Sequence, residues 1–390
     1  MKYQILLCIL MGISIHHISQ AQKLQSELSS ELLHHYEDSD LPGFAVAIIN
    51  QKGVLFEGSY GFADLKQAKA YSKSSLQNLG SLSKTICGLA LVKAIELGKI
   101  DMESPINDFL PFPIINPHFP QEEIRVKHLA THTSTIRDTK HYGKSYILST
   151  EPAKLEGMHT DYLDFIRSHE NINLSDFLKK ILHKDGKWYK KKNFLKAKVG
   201  TEASYANLNA ALTAVLIESV SDMSFRAFTK KYIFEPLSMH STAWSFEELP
   251  KAEQVSLYFP SKLIVPKYSL ITYPDGGLIS SIEDLSKFLT EMIKAFRGES
   301  TYLKTESARL LFPGDEDEYR AFWGMGEISR NIGHGGSDPG AQTDLQFNAD
   351  RHIGRIILCN VNAEDNEKLW EQYQGIHKIL AKYEEKLDRP

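Results

Sequence analysis

The chain has 390 residues, 42% of them hydrophobic and 24% charged, with a formal net charge of -4. These are the proportions of a globular chain long enough for one large or two interleaved folding units. The mild negative charge predicts neither a nucleic-acid partner nor attraction to an anionic membrane.

Residues 1–21 read as a secretory signal peptide. Lys2 is a short basic start, Ile5 to Ile15 form an apolar core, and Ser19-Gln20-Ala21 offers small residues at the cleavage positions. The apolar run is too short for a stable membrane anchor, and Cys8 lacks small residues just before it, which argues against lipid attachment. The mature protein is expected to be exported, either periplasmic or extracellular. Cys87 and Cys359 lie in apolar runs and are expected as buried thiols, with a disulfide left open.

Residues 24–36 carry apolar side chains at Leu24, Leu28, Leu32, Leu33 and Tyr36, the pattern of an amphipathic helix. Residues 44–49 and 54–58 read as strands joined by a hairpin. An almost wholly apolar helix follows Ser81 and is stopped by Gly98. Helical signals then dominate to about residue 260, at 174–182, 207–220 and 225–234. The charged and aromatic stretch 187–194 reads as a solvated loop with aromatic anchors, since it stands alone in an acidic chain. Residues 283–296 are helical, 342–348 and 353–360 read as paired strands, and a last amphipathic helix spans 364–384.

This distribution predicts an α+β fold: one antiparallel sheet formed from N- and C-terminal segments, flanked by helices, with an inserted, mostly helical lobe. The expected division is 22–100 with 261–390 for the α/β lobe and 101–260 for the insertion. A site is expected in the cleft between them.

Ser81-Leu82-Ser83-Lys84 opens the apolar helix. Residues i and i+3 share a helix face, so the ammonium and the hydroxyl can meet. A desolvated amine beside a hydroxyl can activate it. A surface cap is the bland reading, but a cation near a helix N-terminus opposes the macrodipole. Two other stretches have the content to complete a site. Tyr205-Ala206-Asn207 puts a phenol and an amide on one side of an extended turn before a helix. Gly333-His334-Gly335-Gly336-Ser337-Asp338 is small enough for a substrate backbone to lie alongside a strand, with a backbone N–H available to an oxyanion. Taken singly, these two read as a packed tyrosine and a glycine-rich turn.

In this order the three stretches resemble the serine β-lactamase and penicillin-binding-protein superfamily, specifically its class C β-lactamase-like branch. The matching elements are Ser81-Leu82-Ser83-Lys84 for S-x-x-K, Tyr205-Ala206-Asn207 for Y-x-N and His334-Gly335-Gly336 for the usual K-T-G. The stretches 42–47, 58–64, 124–134, 234–239 and 276–281 resemble further landmarks, so the likeness covers nearly the whole mature chain. It implies that Ser81 is the acylated nucleophile, that Lys84 and Tyr205 share its proton, and that Asn207 orients Lys84 and the substrate amide. It also implies an oxyanion hole from the backbone N–H groups of Ser81 and Ser337, with His334, Gly335 and Gly336 lining the substrate site. No cofactor, metal or nucleic-acid partner is implied; the partner is a small-molecule or peptide substrate, and the oligomeric state stays open.

The third element departs from the pattern. K-T-G supplies a cation for a substrate carboxylate, whereas His334 is mostly neutral near pH 7 unless a neighbour charges it, and Gly335 removes the threonine hydroxyl. An H-x-G element resembles the D-aminopeptidase and esterase-like relatives. The expected activity is therefore hydrolysis of an ester, or of an amide such as a D-amino-acid or cell-wall peptide. β-Lactam hydrolysis and a non-catalytic peptide- or protein-binding module are the alternatives. An α/β-hydrolase is excluded because no serine sits in a G-x-S-x-G frame. His128 and His132 lie four apart without H-E-x-x-H, and a structural role is expected for both.

Overall fold

The computed structural model describes residues 2–148, 172–314, 318–326, 329–364 and 366–388. In chain order its strands are β1 (Gly43–Asn50), β2 (Gly53–Asp64), β3 (Lys69–Ala70), β4 (Gln77–Asn78), β5 (Tyr146–Leu148) and β6 (Tyr268–Leu270), followed by β7 (Ile279–Ser280), β8 (Tyr319–Arg320), β9 (Trp323–Met325), β10 (Asn331–Asp338), β11 (Ala341–Asn348) and β12 (Gly354–Cys359). The helices are α1 (Lys2–Glu37), α2 (Ser83–Glu96), α3 (Val126–Ala130), α4 (Leu174–Leu182) and α5 (Asn207–Ser221), then α6 (Phe225–Thr229), α7 (Ile282–Phe296), α8 (Thr305–Leu311) and α9 (Glu367–Asp388). None of the described helices is long and apolar enough to cross a membrane.

The main sheet runs β3-β2-β1-β12-β11-β10-β9-β8. The two ends of the chain meet where β1 pairs antiparallel with β12, from Phe44 opposite Cys359 to Ile49 opposite Gly354. β1 is buried along its whole length, as befits a central strand covered on both faces. Alternation divides its side chains. Phe44, Val46 and Ile48 face Leu28 and Leu32 of α1 and Leu369, Tyr373, Ile376 and Leu380 of α9. Ala45, Ala47 and Ile49 join the larger core with α2, α5 and α7. The antiparallel sheet drawn from both termini, flanked by helices, is thus the observed architecture. All eight of its strands lie in 43–70 and 319–359.

Several elements differ from expectation. α1 is one continuous helix, so the expected signal segment and amphipathic helix lie in a single element. The helix expected over 225–234 changes its winding at Lys230, where a π-turn (Lys230–Phe234) replaces the α-helical ladder. The glycine-rich stretch around His334 is a strand along its whole length, and the turn is Pro339-Gly340. Pairing with β11 outweighs its poor intrinsic strand preference. Cys87 and Cys359 are buried free thiols, and burial pushes the Cys359 thiol up to about 12.

α9 is fastened to the sheet by an ion pair. Arg355 Nη1 lies 2.9 Å from Glu384 Oε1, with Glu384 4% and Arg355 14% exposed at the side chain. Removing one partner of such a pair leaves the other charge enclosed and uncompensated. Glu384→Ala is expected to lose about 3 kcal/mol of stability, read from the midpoint of urea unfolding. An unchanged midpoint would show that α9 is held by its apolar face alone.

Candidate active site

The nucleophile candidate sits in a tight turn. Gly80–Leu82 forms a single 3-10 turn that runs straight into α2. Gly80 has φ +56, the left-handed region that favours glycine. The turn is pinned by Ser83 Oγ, which donates to Gly80 O at 2.6 Å and accepts the Leu278 N–H at 3.0 Å. Ser81 is left free to face the cleft. Its Oγ accepts hydrogen bonds from Lys84 Nζ and from Tyr205 OH, both at 3.0 Å.

Lys84 is fully buried. An ammonium in such a place requires partners. It donates to Ser81 Oγ and, at 2.6 Å, to the main-chain oxygen of Asp275. Its Nζ lies 5.1 Å from the centroid of the Tyr205 ring. The carboxylates of Asp138 and Asp275 both feel its charge: burial raises both acids and Lys84 pulls both down.

Tyr205 stands in extended backbone just before α5 and is 39% exposed, so its hydroxyl is reachable from solvent. The segment that places it comes from residues 132–138. His132 O accepts the Ser204 N–H at 2.8 Å, and His132 Nδ1 accepts from Ala206 N at 3.3 Å and from Asn209 Nδ2 at 3.1 Å. The His132 and Tyr205 rings lie 4.6 Å apart at the centroids. Burial, Lys84 and His334 hold His132 well below the usual imidazole range. His128 Nδ1 accepts the Arg125 N–H at 2.9 Å, closing the start of α3. Each histidine thus holds backbone in place. Among the described residues no group of three His, Cys, Asp or Glu side chains is placed to hold a metal ion.

Asn207 opens α5. Asp138 accepts its N–H at 2.7 Å and that of Leu208 at 3.2 Å, satisfying two orphan donors of the helix start from outside the helix. The backbone carbonyl that holds Lys84 belongs to Asp275, in the turn before Gly276-Gly277. Asp138 and Asp275 are absent from the sequence-derived residues. Nothing in their local spacing marks them.

β10 forms the opposite wall. β9 covers it only at Ile332 and Gly333, so from His334 onward one edge is open. Counting back from the two-residue turn through the unbroken β10–β11 register places the N–H groups of Gly335 and Ser337 on that open edge. Gly336 crosses the nucleophile turn so closely that a Cβ there would strike Leu79 O and Thr343 Oγ1. A Cβ on Gly80 would lie 3.2 Å from Ser337 N, so that N–H reaches the turn carrying Ser81. The strand end is clamped by Asp338, whose carboxylate accepts from Tyr146 OH at 2.5 Å and from Tyr268 OH at 2.8 Å.

His334 Nδ1 contacts the Gly335 carbonyl. A carbonyl only accepts, so Nδ1 carries the proton, and the neutral ring leaves Nε2 bare. Nε2 has no hydrogen-bond partner among the described residues. Burial and Lys84 push the ring down to about 4. Where the K-T-G pattern has a permanent cation, the site holds a neutral imidazole.

The cleft has a volume of about 520 Å³. Its described walls carry Ser81, Tyr205, Tyr319 and the β10 edge, three acids (Glu318, Asp344 and Glu364), and no lysine or arginine. The long segment 138–198 is expected from the sequence to supply cleft-lining loops. Of that stretch, Tyr142 and Tyr146 pack behind the site, and residues 149–171 lie outside the described residues.

The chain matches the family model described as Beta-lactamase over residues 28–377. It is 20% identical to "Protein flp" of Staphylococcus aureus (strain MW2) over 381 residues, 93% of this chain and 70% of that protein. It is 24% identical over 336 residues to "Penicillin-binding protein 4*" of Bacillus subtilis (strain 168), covering 80% of this chain and 67% of the relative. Two solved structures share the fold. The octameric penicillin-binding protein homologue from Pyrococcus abyssi has a TM-score of 0.70 at 21% identity, covering 91% of this chain and 76% of that one. The penicillin-binding protein from Bacillus halodurans has a TM-score of 0.65 at 22% identity, covering 89% and 99%.

His334 is expected to titrate with a midpoint near 4, followed by NMR of the ring protons. The folded ring holds its proton less tightly than an unfolded one. Its share of stability is therefore complete above 6.5 and is lost as pH falls through about 4. A midpoint above neutrality would place a cation in the cleft and reverse the assignment.

Proposed function

The chain belongs to the beta-lactamase family, and on that premise we propose that it is a serine hydrolase that forms an acyl–Ser81 intermediate. The proposed substrates are esters or amides without a carboxylate to be held at the third motif, such as a D-amino-acid or cell-wall peptide bond. Export to the periplasm or the extracellular space belongs to the proposal and rests on residues 1–21.

One observation carries the reading: Ser81 Oγ accepts two hydrogen bonds, from the buried Lys84 ammonium and from the solvent-reachable Tyr205 hydroxyl. A binding module has no need of a hydroxyl so placed. The Lys84–Tyr205 pair first gives up one proton to solvent; attack on a substrate carbonyl then forms the Ser81 Oγ–C bond while the hydroxyl proton passes to the deprotonated member of the pair. The carbonyl oxygen becomes an anion, for which the N–H groups of Ser81 and Ser337 are the donors. Collapse expels the alcohol or amine, which takes the proton back. Water then repeats the steps and releases the acid. Asn207, at the head of α5, bonds Asp138 through its N–H and its side chain, and a part in holding the substrate amide belongs to the proposal.

The choice of substrate follows from charge. A penicillin, a cephalosporin or a peptide ending in D-Ala carries a carboxylate, and the described cleft offers it a neutral imidazole and three acids. Like charges without a compensating cation disfavour such a ligand.

Two measurements test this. A fluorophosphonate probe is expected to label the wild-type protein and not Ser81→Ala, read by intact mass. Failure to label under any condition would favour the binding module. In a panel of short p-nitrophenyl esters, D- and L-amino-acid anilides and nitrocefin, turnover is expected for at least one ester or anilide, and only weakly for nitrocefin. Nitrocefin hydrolysis on the scale of a dedicated β-lactamase would overturn the charge-based specificity. Loss of one oxyanion donor typically removes about 100-fold in kcat, which sets the scale for variants that displace Ser337.

A further inference from the structure

We propose that Asp275 is a positioning residue for this chemistry: its carboxylate, held by Tyr142 behind the Lys84 ammonium, sets the proton balance of the Ser81–Lys84–Tyr205 cluster. The inference rests on the reading of Ser81 as an activated nucleophile.

Asp275 ends the 3-10 turn Tyr273–Asp275 and is fully buried. It contributes to the site twice. Its main-chain oxygen accepts Lys84 Nζ at 2.6 Å, and its carboxylate Oδ1 accepts the Tyr142 hydroxyl at 2.8 Å. Thr272 adds a second side-chain hydrogen bond to the carboxylate. The turn cannot drift from the nucleophile, because three residues on Leu278 bonds both ways with the Ser81 segment. Its oxygen accepts the Leu79 N–H at 2.9 Å and its N–H meets Ser83 Oγ at 3.0 Å.

An enclosed carboxylate held by two hydroxyls is an expensive way to fill space; an amide or apolar residue would serve the packing alone. What an aspartate adds is a charge that responds to its surroundings. The ionisable groups that face it are Lys84, Tyr142, Asp138 and Cys87. Burial pushes Asp275 up to about 7, with Asp138 adding to the rise and Lys84 and Tyr142 opposing it. Near neutrality its charge is therefore variable. When charged, it favours keeping a proton on the cluster in front of it. When neutral, it lets that proton go more readily. The sign is the same whether Lys84 or Tyr205 receives the serine proton, because a nearby negative charge favours the protonated form of either.

The test is the rate of Ser81 labelling by a fluorophosphonate, measured across acid to neutral pH for wild type, Asp275→Asn and Tyr142→Phe, with Ser81→Ala as the blank. Asp275→Asn removes the nearby negative charge, and the acid limb of the rate is expected to move to lower pH by about one unit. Tyr142→Phe should move it the same way by less, since a carboxylate without that donor holds its own proton more tightly. A purely structural role for Asp275 would lower rates or thermal stability and leave the limb in place. An unmoved limb in either folded variant overturns the inference while leaving the Ser81 reading intact. If Asp275→Asn does not fold, Tyr142→Phe decides. If wild type shows no Ser81-dependent labelling, the underlying reading falls, and this inference with it.

Discussion

The burial of one ammonium organises this molecule. Lys84 stands inside the fold at the head of a helix whose residues are almost all enclosed, where an unpaired charge would cost far more than the fold's net stability. The surroundings answer that cost with a carbonyl from residue 275, a serine oxygen, a tyrosine ring and two nearby acids. Each answer comes from a different stretch of chain. The requirement therefore pulls α2, the start of α5 and the turn before β7 to one point. The serine hydroxyl and the tyrosine are the partners that also face the cleft.

The facing wall obeys a second constraint, close approach. β10 passes over the nucleophile turn with no room for a side chain at Gly336. Its edge beyond Gly333 is left unpaired by β9. An unpaired edge is ordinarily a liability; here it faces the serine and offers backbone groups to a substrate. The clamp of Tyr146 and Tyr268 on Asp338 ties that edge to the β5–β6 ribbon. Cleft geometry and the β5–β6 ribbon are thereby mechanically joined.

The charge of the cleft separates what the family fold provides from what this chain does with it. The fold supplies a serine, a lysine and a tyrosine in contact. The acids along the wall and the neutral His334 alter the sign of the field that a substrate meets. On the proposed function, reaction type and substrate preference reside in different parts of the chain, the first in α2 and Tyr205, the second on β10 and the walls beside it.

Local pattern was enough to read much of this. The apolar run at 44–49 is a buried strand, 174–182 is a helix with the same ends as predicted, and Ser81 with Lys84 share a face because three residues make one helical turn. Those features are set by neighbours in the chain, and periodicity records neighbours. The glycine-rich stretch 333–338 has little strand pattern of its own, because its strand character comes from β11 and not from its own residues. Asp138, Asp275 and Tyr142 carried no legible signal for the same reason. The sequence by itself determined the fold class, the nucleophile's spacing to its lysine and the loss of a cation at the third motif. Tertiary structure alone decided that Tyr205 meets Ser81 across 124 positions and that a carbonyl 191 positions away holds Lys84. Such contacts depend on how distant segments pack, and no local periodicity encodes them.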